Sequence, residues 1–194
     1  MLDDGLKEYF YDPGSNIYHL NMAIYTKTGD NGTTGLYGGK RISKASCQVE
    51  SYGSIDELTT FIGMTVTKIA DKKNKQLLTD IQRDLYEIMS YLSGAKINLS
   101  FLDKKTTTFE KNIDEIEKKL PTLTKFILPG GSEQSSWLHI SRVKCRRAER
   151  IIIDYFNKKD VTEDEFKIIK YLNRLSDLFF DLARLYNKGE DVIV

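Results

Sequence analysis

The residues best suited to phosphate chemistry lie close together, at residues 24–35. Their sequence, IYTKTGDNGTTG, contains three glycines, four threonines, one lysine and one aspartate. Glycine lets backbone N–H groups turn toward an anion, and threonine and lysine add further donors. The composition predicts a loop that binds a polyphosphate, as in a nucleotide site. The alternative is a glycine-rich surface turn without a ligand.

This loop matches neither of the two common phosphate-binding motifs. The nearest candidate for a Walker A loop ends at Gly39-Lys40, but Thr34 stands where its first glycine should be and Arg41 where its hydroxyl should be. The Gly-x-Gly-x-x-Gly pattern of dinucleotide-binding proteins is also absent. A nucleotide site here would therefore be of another kind.

A second candidate site is a cluster of charged residues on the fourth predicted helix. At about 100° per residue, five polar side chains fall within one arc of roughly 100°: His139, Arg142, Arg146, Glu149 and Arg150. The three arginines are four residues apart and repel one another, with one carboxylate to offset them. A planar guanidinium matches phosphate or carboxylate oxygens, so a triphosphate or a partner carboxylate would relieve the repulsion. The alternative is a solvated helix face.

The fifth predicted helix has a milder version of this pattern. Asn173, Asp177 and Arg184 share one edge of the helix. Asp177 can pair locally with Arg174, so a structural role is at least as well supported as a catalytic one. Asn173 is a stronger candidate for binding, because an amide beside charged groups can recognise a purine edge or a ribose hydroxyl.

Two further segments carry candidate residues. Residues 126–131, FILPGG, precede the arginine-rich helix, and for Phe126 core packing and a role in a site are equally supported. Gly53 lies inside the first predicted helix, where glycine costs about 1 kcal/mol relative to alanine, which suggests a close approach by another backbone or a ligand. Asp56 could pair with one of the arginines, either within the chain or across a subunit interface.

Helical periodicity dominates after the loop, and only three prolines interrupt the 194 residues. We predict an all-α fold in which a glycine-rich nucleotide-binding loop precedes a bundle of five helices joined by short connections. The predicted helices are at about 47–70, 75–96, 106–120, 133–158 and 162–187. Residues 1–21 are interpreted as an N-terminal extension, and residues 22–194 as a single domain.

Composition limits the class of protein. With 29 basic and 28 acidic residues, the formal charge of +1 predicts no general attraction to nucleic acid or to acidic membranes. The only cysteines, Cys47 and Cys145, form no zinc-binding pattern and favour a reducing cytoplasm. Because no apolar run approaches the roughly 20 residues that span a bilayer, we expect a soluble, cytoplasmic protein.

Taken in order, five segments resemble the PduO-type ATP:cob(I)alamin adenosyltransferases. They are YTKTGDNGTT at 25–34, YGSIDEL at 52–58, FILPGG at 126–131, CRRAER at 145–150 and LNRLSD at 172–177. The resemblance extends from about Ala23 to Tyr186. It implies a five-helix bundle assembled as a homotrimer, with an active site at each subunit interface. The implied reaction transfers the 5′-deoxyadenosyl group of ATP to the cobalt of cob(I)alamin and releases triphosphate.

The resemblance also implies roles for individual residues. The positions that wrap the ATP phosphates are Thr26, Lys27, Thr28, Gly29, Thr34, Gly35 and Lys44. The nucleotide-binding positions contributed by helices of the neighbouring subunit are Arg146, Arg147, Glu149, Arg150 and Asn173. Asp56 and Arg142 match a pair that forms a salt bridge across the interface. Phe126 matches the aromatic residue that contacts the lower corrin face and helps to keep cobalt four-coordinate.

The implied chemistry needs no general base, because cob(I)alamin is already a strong nucleophile. Lys27, Lys44, Arg146 and Arg150, together with Mg²⁺, would stabilise the departing triphosphate. An electron-donating reductase would supply Co(I). The chain departs from the family pattern at Gln48, at Thr59 and at residues 191–194, DVIV, which lack an aromatic found near the C-terminus of many members. Alternative functions are a non-catalytic ATP-binding sensor or interaction module, and a structural helix bundle.

Overall fold

The computed structural model describes residues 25–157 and 160–194. It contains five helices: α1 (Cys47–Lys68), α2 (Lys72–Leu92), α3 (Phe101–Glu117), α4 (Glu133–Phe156) and α5 (Glu163–Tyr186). A short antiparallel hairpin, β1 (Thr33–Gly35) and β2 (Arg41–Ser43), precedes them. The predicted five-helix, all-α fold is confirmed. The hairpin was not predicted, and the extension predicted for residues 1–21 lies outside the described residues.

Both boundaries of two predicted helices, α2 and α3, are wrong by several residues. Helix α2 begins at Lys72 because the side chain of Asp71 accepts hydrogen bonds from the N–H groups of Lys73 and Asn74. It ends at Leu92, shortly before Gly94, whose φ of 102° is incompatible with a continuing helix. Helix α3 begins at Phe101, five residues before the predicted start.

Helix α4 lies at the centre of the bundle and packs against α1 and α5, while α2 packs against α1 and α3 against α5. The contacts are made by fully buried aliphatic and aromatic side chains at helical spacing, for example Ile55, Leu58 and Ile62 of α1. Ser132 caps the start of α4 by accepting a hydrogen bond from the N–H of Ser135. This packing buries one side of α4. It leaves the edge that carries Arg142, Arg146 and Arg150, which we call the arginine-rich edge, at the surface of the bundle.

The last residues of the chain form an unexpected contact with residues 126–128. Ile193 forms a β-bridge with Ile127, and the N–H groups of Leu128 and Val194 donate to the carbonyls of Val192 and Phe126, both at 2.9 Å. The connection is anchored by an ion pair between Arg184 and Asp191, at 2.8 Å, with both side chains buried. We call residues 191–194 the C-terminal strand.

None of the helices in residues 25–157 and 160–194 combines the length and the apolar character that crossing a bilayer requires.

Candidate functional site

The predicted phosphate loop forms a compact double turn before β1. The N–H of Asp30 donates to the Lys27 carbonyl at 3.3 Å, and the N–H of Gly32 donates to the Gly29 carbonyl at 3.2 Å. Lys27 has a φ of 58°, a conformation that non-glycine residues rarely adopt outside special sites. The side chains of Thr26, Lys27 and Thr28 are exposed. The loop is therefore open to a ligand.

Lys44, which follows β2, lies against this loop. A Cβ atom placed on Gly29 would be 3.0 Å from Lys44 Nζ, so a side chain at position 29 would crowd the ammonium group. Thr34 and Gly35 lie in β1, directly after the loop. The hairpin thus brings the seven predicted phosphate-binding residues into one region of the structure.

Three of the four arginines of α4, namely Arg142, Arg146 and Arg150, have no ion-pair partner within residues 25–157 and 160–194. Arg142 is half-buried, its guanidinium lies 5.9 Å from the centre of the Phe180 ring, and its Nε is buried without a hydrogen-bond acceptor. Burial and the charge of Arg146 lower the pKa of Arg142. Arg146 and Arg150 are exposed. The arginine-rich edge keeps its capacity to bind an anion.

Two predicted nucleotide-binding residues on different helices meet beside these arginines. The side-chain amide of Asn173 on α5 donates to Glu149 Oε1 on α4 at 3.2 Å. Arg147 points differently, toward α1, where it lies 3.4 Å from Glu57 and 3.7 Å from Glu50. Because those carboxylates already offset its charge, Arg147 is less available to a nucleotide than Arg146.

Asp56 lies on an open face of α1. Its carboxylate is exposed and has no ion pair or hydrogen bond with the described residues, so the pairing within the chain considered for it is not formed. Gly53 on the same helix has open space where a Cβ would be, so no contact among the described residues explains a glycine there. Asp177, in contrast, bonds Arg174 at 2.7 Å, as the structural interpretation predicted.

Phe126 is 88% exposed, which excludes the core-packing interpretation for this residue. It lines a cavity of about 740 Å³ together with Pro129, His139, Phe180 and Val194. The wall is mostly apolar, although Lys125 and Arg142 also line it, and the C-terminal strand contributes to it. Residues 191–194 contain no aromatic side chain, and it is the aliphatic Val194 that lines the cavity here.

His139 was grouped with the charged arc, but the structure buries it against this cavity with 5% of its surface exposed. Its Nδ1 is buried without a hydrogen-bond partner. Burial, followed by the charge of Arg142, lowers the pKa of His139, so the ring is neutral at pH 7. The sequence pattern grouped it with the arginines, and only the packing shows that it lies at the cavity wall.

A larger groove of about 960 Å³ continues from the same wall, sharing Leu123, Arg142 and Phe180 with the first cavity. It is lined by charged side chains from α3, α4 and α5, including Arg146, and was not predicted. Neither cavity contains a residue of the phosphate loop at 25–35. The phosphate loop and these two cavities thus share no lining residue.

The model of the cobalamin adenosyltransferase family matches residues 24–186 of this sequence. The chain belongs to this family. The corrinoid adenosyltransferase of Bacillus subtilis is 41% identical over 172 residues, covering 86% of this chain and 87% of that protein. The corrinoid adenosyltransferase PduO of Citrobacter freundii is 38% identical over 84% of this chain, but the match spans only 49% of PduO.

Solved members of the adenosyltransferase family have the same fold. A variant PduO-type ATP:corrinoid adenosyltransferase from Lactobacillus reuteri, in complex with cobalamin and ATP, aligns with a TM-score of 0.80 and 32% identity. The alignment covers 89% of this chain and 99% of the Lactobacillus protein. The five-helix bundle is thus the fold of the adenosyltransferase family.

Proposed function

We infer that this protein is an ATP:corrinoid adenosyltransferase. It transfers the 5′-deoxyadenosyl group of ATP to the cobalt of cob(I)alamin, forming adenosylcobalamin and releasing triphosphate. The observation that carries this assignment is the match of 89% of the chain to a family member solved with cobalamin and ATP. The exposed phosphate loop, the unpaired arginines and the apolar cavity at Phe126 provide binding surfaces suited to these two substrates.

The reaction is a displacement at C5′ of ATP. The cobalt of cob(I)alamin supplies the electron pair for the new cobalt–carbon bond, while the C5′–O bond breaks and its electrons leave with the triphosphate. Because this nucleophile needs no deprotonation, the protein's task is to align the substrates and stabilise the leaving group. We assign leaving-group stabilisation to Arg146 and Arg150 on α4 and to Lys27 and Lys44 at the phosphate loop.

Mg²⁺ is expected to accompany ATP. No cluster of three or more His, Cys, Asp or Glu side chains among the described residues could hold a metal ion. Mg²⁺ commonly relies on phosphate oxygens and water for most of its ligands. The protein's lysine and arginine donors therefore fit the phosphates, and the phosphates would hold the ion.

We propose that the corrin ring lies against the exposed face of Phe126. The cavity there is lined mostly by apolar side chains, among them Pro129, Phe180 and Val194, which offer no ligand to cobalt. An apolar wall excludes water and the lower axial ligand from the metal. Exclusion of that ligand would favour four-coordinate cobalt, which accepts an electron more readily.

We propose that the complete site forms between subunits of a homotrimer. Asp56 is exposed on α1 and has no ion pair with the described residues, and Arg142 Nε, beside the corrin cavity, has no hydrogen-bond acceptor among them. A neighbouring Asp56 would satisfy Arg142 and would bring one chain's phosphate loop to the other chain's arginines. The nucleotide would then bind Thr26–Gly29, Thr34, Gly35 and Lys44 of one subunit and Arg146, Glu149, Arg150 and Asn173 of the next.

Two further proposals concern the cellular setting. Cobalt must reach the enzyme as Co(I) or be reduced on it, so we propose an electron-donating reductase as a partner. We also propose a cytoplasmic location, where Cys47 and Cys145 would remain reduced.

The function is tested by incubating the protein with ATP, Mg²⁺ and chemically reduced cobalamin in the dark. Formation of a light-sensitive cobalt–carbon spectrum and of stoichiometric triphosphate is expected. If ATP binds and the spectrum never changes, the protein is a nucleotide-binding module without this activity. If ATP does not bind either, the structural-bundle interpretation applies.

A further inference from the structure

Arg41, at the start of β2, forms a dense set of hydrogen bonds with the phosphate loop. One guanidinium nitrogen donates to the Thr28 carbonyl at 2.5 Å, to the Thr33 carbonyl at 3.2 Å and to Thr33 Oγ1 at 2.7 Å. Its Nε also donates to Thr33 Oγ1, at 3.2 Å. The side chain thus connects the turn that contains Thr28 to the strand that follows it.

The bond to the Thr28 carbonyl orients a backbone donor. In a trans peptide the C=O and the next N–H point in opposite directions, so holding the Thr28 carbonyl toward Arg41 turns the Gly29 N–H away from it. No hydrogen bond among the described residues uses that N–H. Lys44 Nζ approaches the same glycine, so two donors are presented at Gly29.

The contact with Thr33 extends the connection. While Thr33 Oγ1 accepts from Arg41, it donates to Asn31 Oδ1 at 2.7 Å, and the Asn31 side chain also accepts from the Thr33 N–H at 3.3 Å.

The loop contains glycines at 29, 32 and 35, so without these hydrogen bonds it would lose much conformational entropy when a ligand orders it. A loop ordered in advance avoids that cost at the moment of binding.

We propose that Arg41 is a positioning residue for the nucleotide: its guanidinium holds the phosphate loop in the conformation that presents the Gly29 N–H and Lys44 to the phosphates of ATP. This role rests on the proposed nucleotide site, and no motif in the sequence assigned it. It requires the planar guanidinium, because Nε and the terminal nitrogen both bond Thr33 Oγ1 and so fix the direction in which the terminal nitrogen reaches the Thr28 carbonyl, whereas lysine has one nitrogen on a flexible stem.

The competing role for Arg41 is a direct charge contact with the phosphates. The two roles predict different results for conservative variants, so we would measure ATP affinity by calorimetry for Arg41→Lys, Arg41→Ala and Thr33→Val. Lys40→Ala is the matched control, since it removes a neighbouring positive charge that makes no hydrogen bond or ion pair with the described residues. Unchanged helical circular dichroism verifies that each variant is folded.

Positioning predicts that Arg41→Lys weakens ATP about as much as Arg41→Ala does. Loss of hydrogen bonds to a charged group corresponds to a decrease of about 10- to 100-fold. Lys40→Ala should stay within about twofold of wild type. In turnover assays KM for ATP should rise, while KM for the corrinoid stays constant. Thr33→Val should weaken ATP by a smaller factor, and the double variant Arg41→Lys/Thr33→Val should be no weaker than Arg41→Lys alone.

Two results would overturn this role. Near-wild-type ATP affinity in Arg41→Lys would indicate a charge contact, and fully additive effects in the double variant would show that Arg41 does not act through Thr33. A wild-type protein that binds ATP with the expected variant pattern, yet makes no adenosylcobalamin, would reject the proposed reaction while leaving the role of Arg41 intact.

Discussion

At the scale of single residues, two buried nitrogen atoms border the corrin-side cavity without a hydrogen-bond partner among the described residues. They are His139 Nδ1 and Arg142 Nε. Leaving a buried polar atom unsatisfied costs about 1–3 kcal/mol. Such a cost is tolerated where a ligand or a second subunit supplies the missing hydrogen bonds. Both residues line the cavity at which we propose that the corrin ring binds and a neighbouring subunit docks.

Arg146→Ala should slow turnover at saturating substrates. Arg146 is exposed on the groove wall and has no ion pair in the described chain, so its charge is available to the leaving triphosphate. Loss of one such donor costs about 2–4 kcal/mol, or roughly 30- to 1,000-fold in kcat. Arg83→Ala, which removes a surface arginine paired with Asp80, is the control. Wild-type kcat in Arg146→Ala would contradict the assignment.

Phe126→Ala should change stability little, because the ring is 88% exposed and supports no core. A buried phenylalanine would instead cost about 3–5 kcal/mol. We expect urea unfolding and ATP binding to match wild type, while turnover from cob(II)alamin falls much more than turnover from pre-reduced cob(I)alamin. Electron paramagnetic resonance of cob(II)alamin with enzyme and ATP provides the check. An undiminished four-coordinate signal in the variant would remove Phe126 from the mechanism.

At the scale of elements, the C-terminal strand determines how residues 126–128 are presented. Two backbone hydrogen bonds and the buried pair between Arg184 and Asp191 hold it in place. Because Val194 also lines the cavity, this strand both supports Phe126 and contributes a wall.

Deleting residues 192–194 should therefore affect one substrate selectively. The deletion removes the pairing with residues 126–128 but leaves all five helices and the phosphate loop unchanged. KM for the corrinoid should rise several-fold, while KM for ATP stays constant. Equal effects on both KM values, or none on either, would show that the strand does not shape the corrin side.

Helix α5 contributes a titrating carboxyl group to the charged groove. Burial raises the pKa of Asp181 to about 6, the charges of Glu117 and Asp177 add to the increase, and Arg184 opposes it. The folded protein therefore binds this proton more tightly than the unfolded chain does. The free energy of unfolding that this proton contributes is fully present below pH 3.8, which is the pKa of the group in the unfolded chain. It is lost as the pH rises through about 6, the pKa in the folded protein.

Asp181→Asn should consequently stabilise the protein more at pH 7.5 than at pH 4. The shift corresponds to at most about 3 kcal/mol, at about 1.4 kcal/mol per pKa unit. Urea unfolding at the two pH values, with the exposed Glu115→Gln as control, measures the difference. An identical pH dependence in Asp181→Asn and wild type would contradict the raised pKa.

At the scale of the whole molecule, the phosphate loop contributes no residue to the groove that Arg142 and Arg146 line. We propose that Asp56 and Arg142 of neighbouring subunits bring these two surfaces together. Asp56→Asn should impair turnover even though each chain remains helical, because the proposed partner of Arg142 is lost. The exchanged pair Asp56→Arg/Arg142→Asp should recover part of the activity. Sedimentation velocity at micromolar concentration should show a trimer, and a fully active monomer would refute the shared site.

The sequence by itself determined the five helices and the family, while phosphate binding by the glycine-rich loop stays a prediction. Each depends on local information: apolar side chains at helical spacing, capping residues, and short motifs in a fixed order. The misplaced boundaries of α2 arose where Asp71 and Gly94 set the helix ends more strongly than periodicity suggested.

Only the tertiary structure decided the contacts between distant segments. Arg41 reaches Thr28, thirteen residues away, and Ile127 pairs with Ile193. The packing of α4 buries His139 and directs Arg147 toward α1. Periodicity identifies the face of a helix on which a side chain lies, but the partner of that face depends on how all the elements pack together.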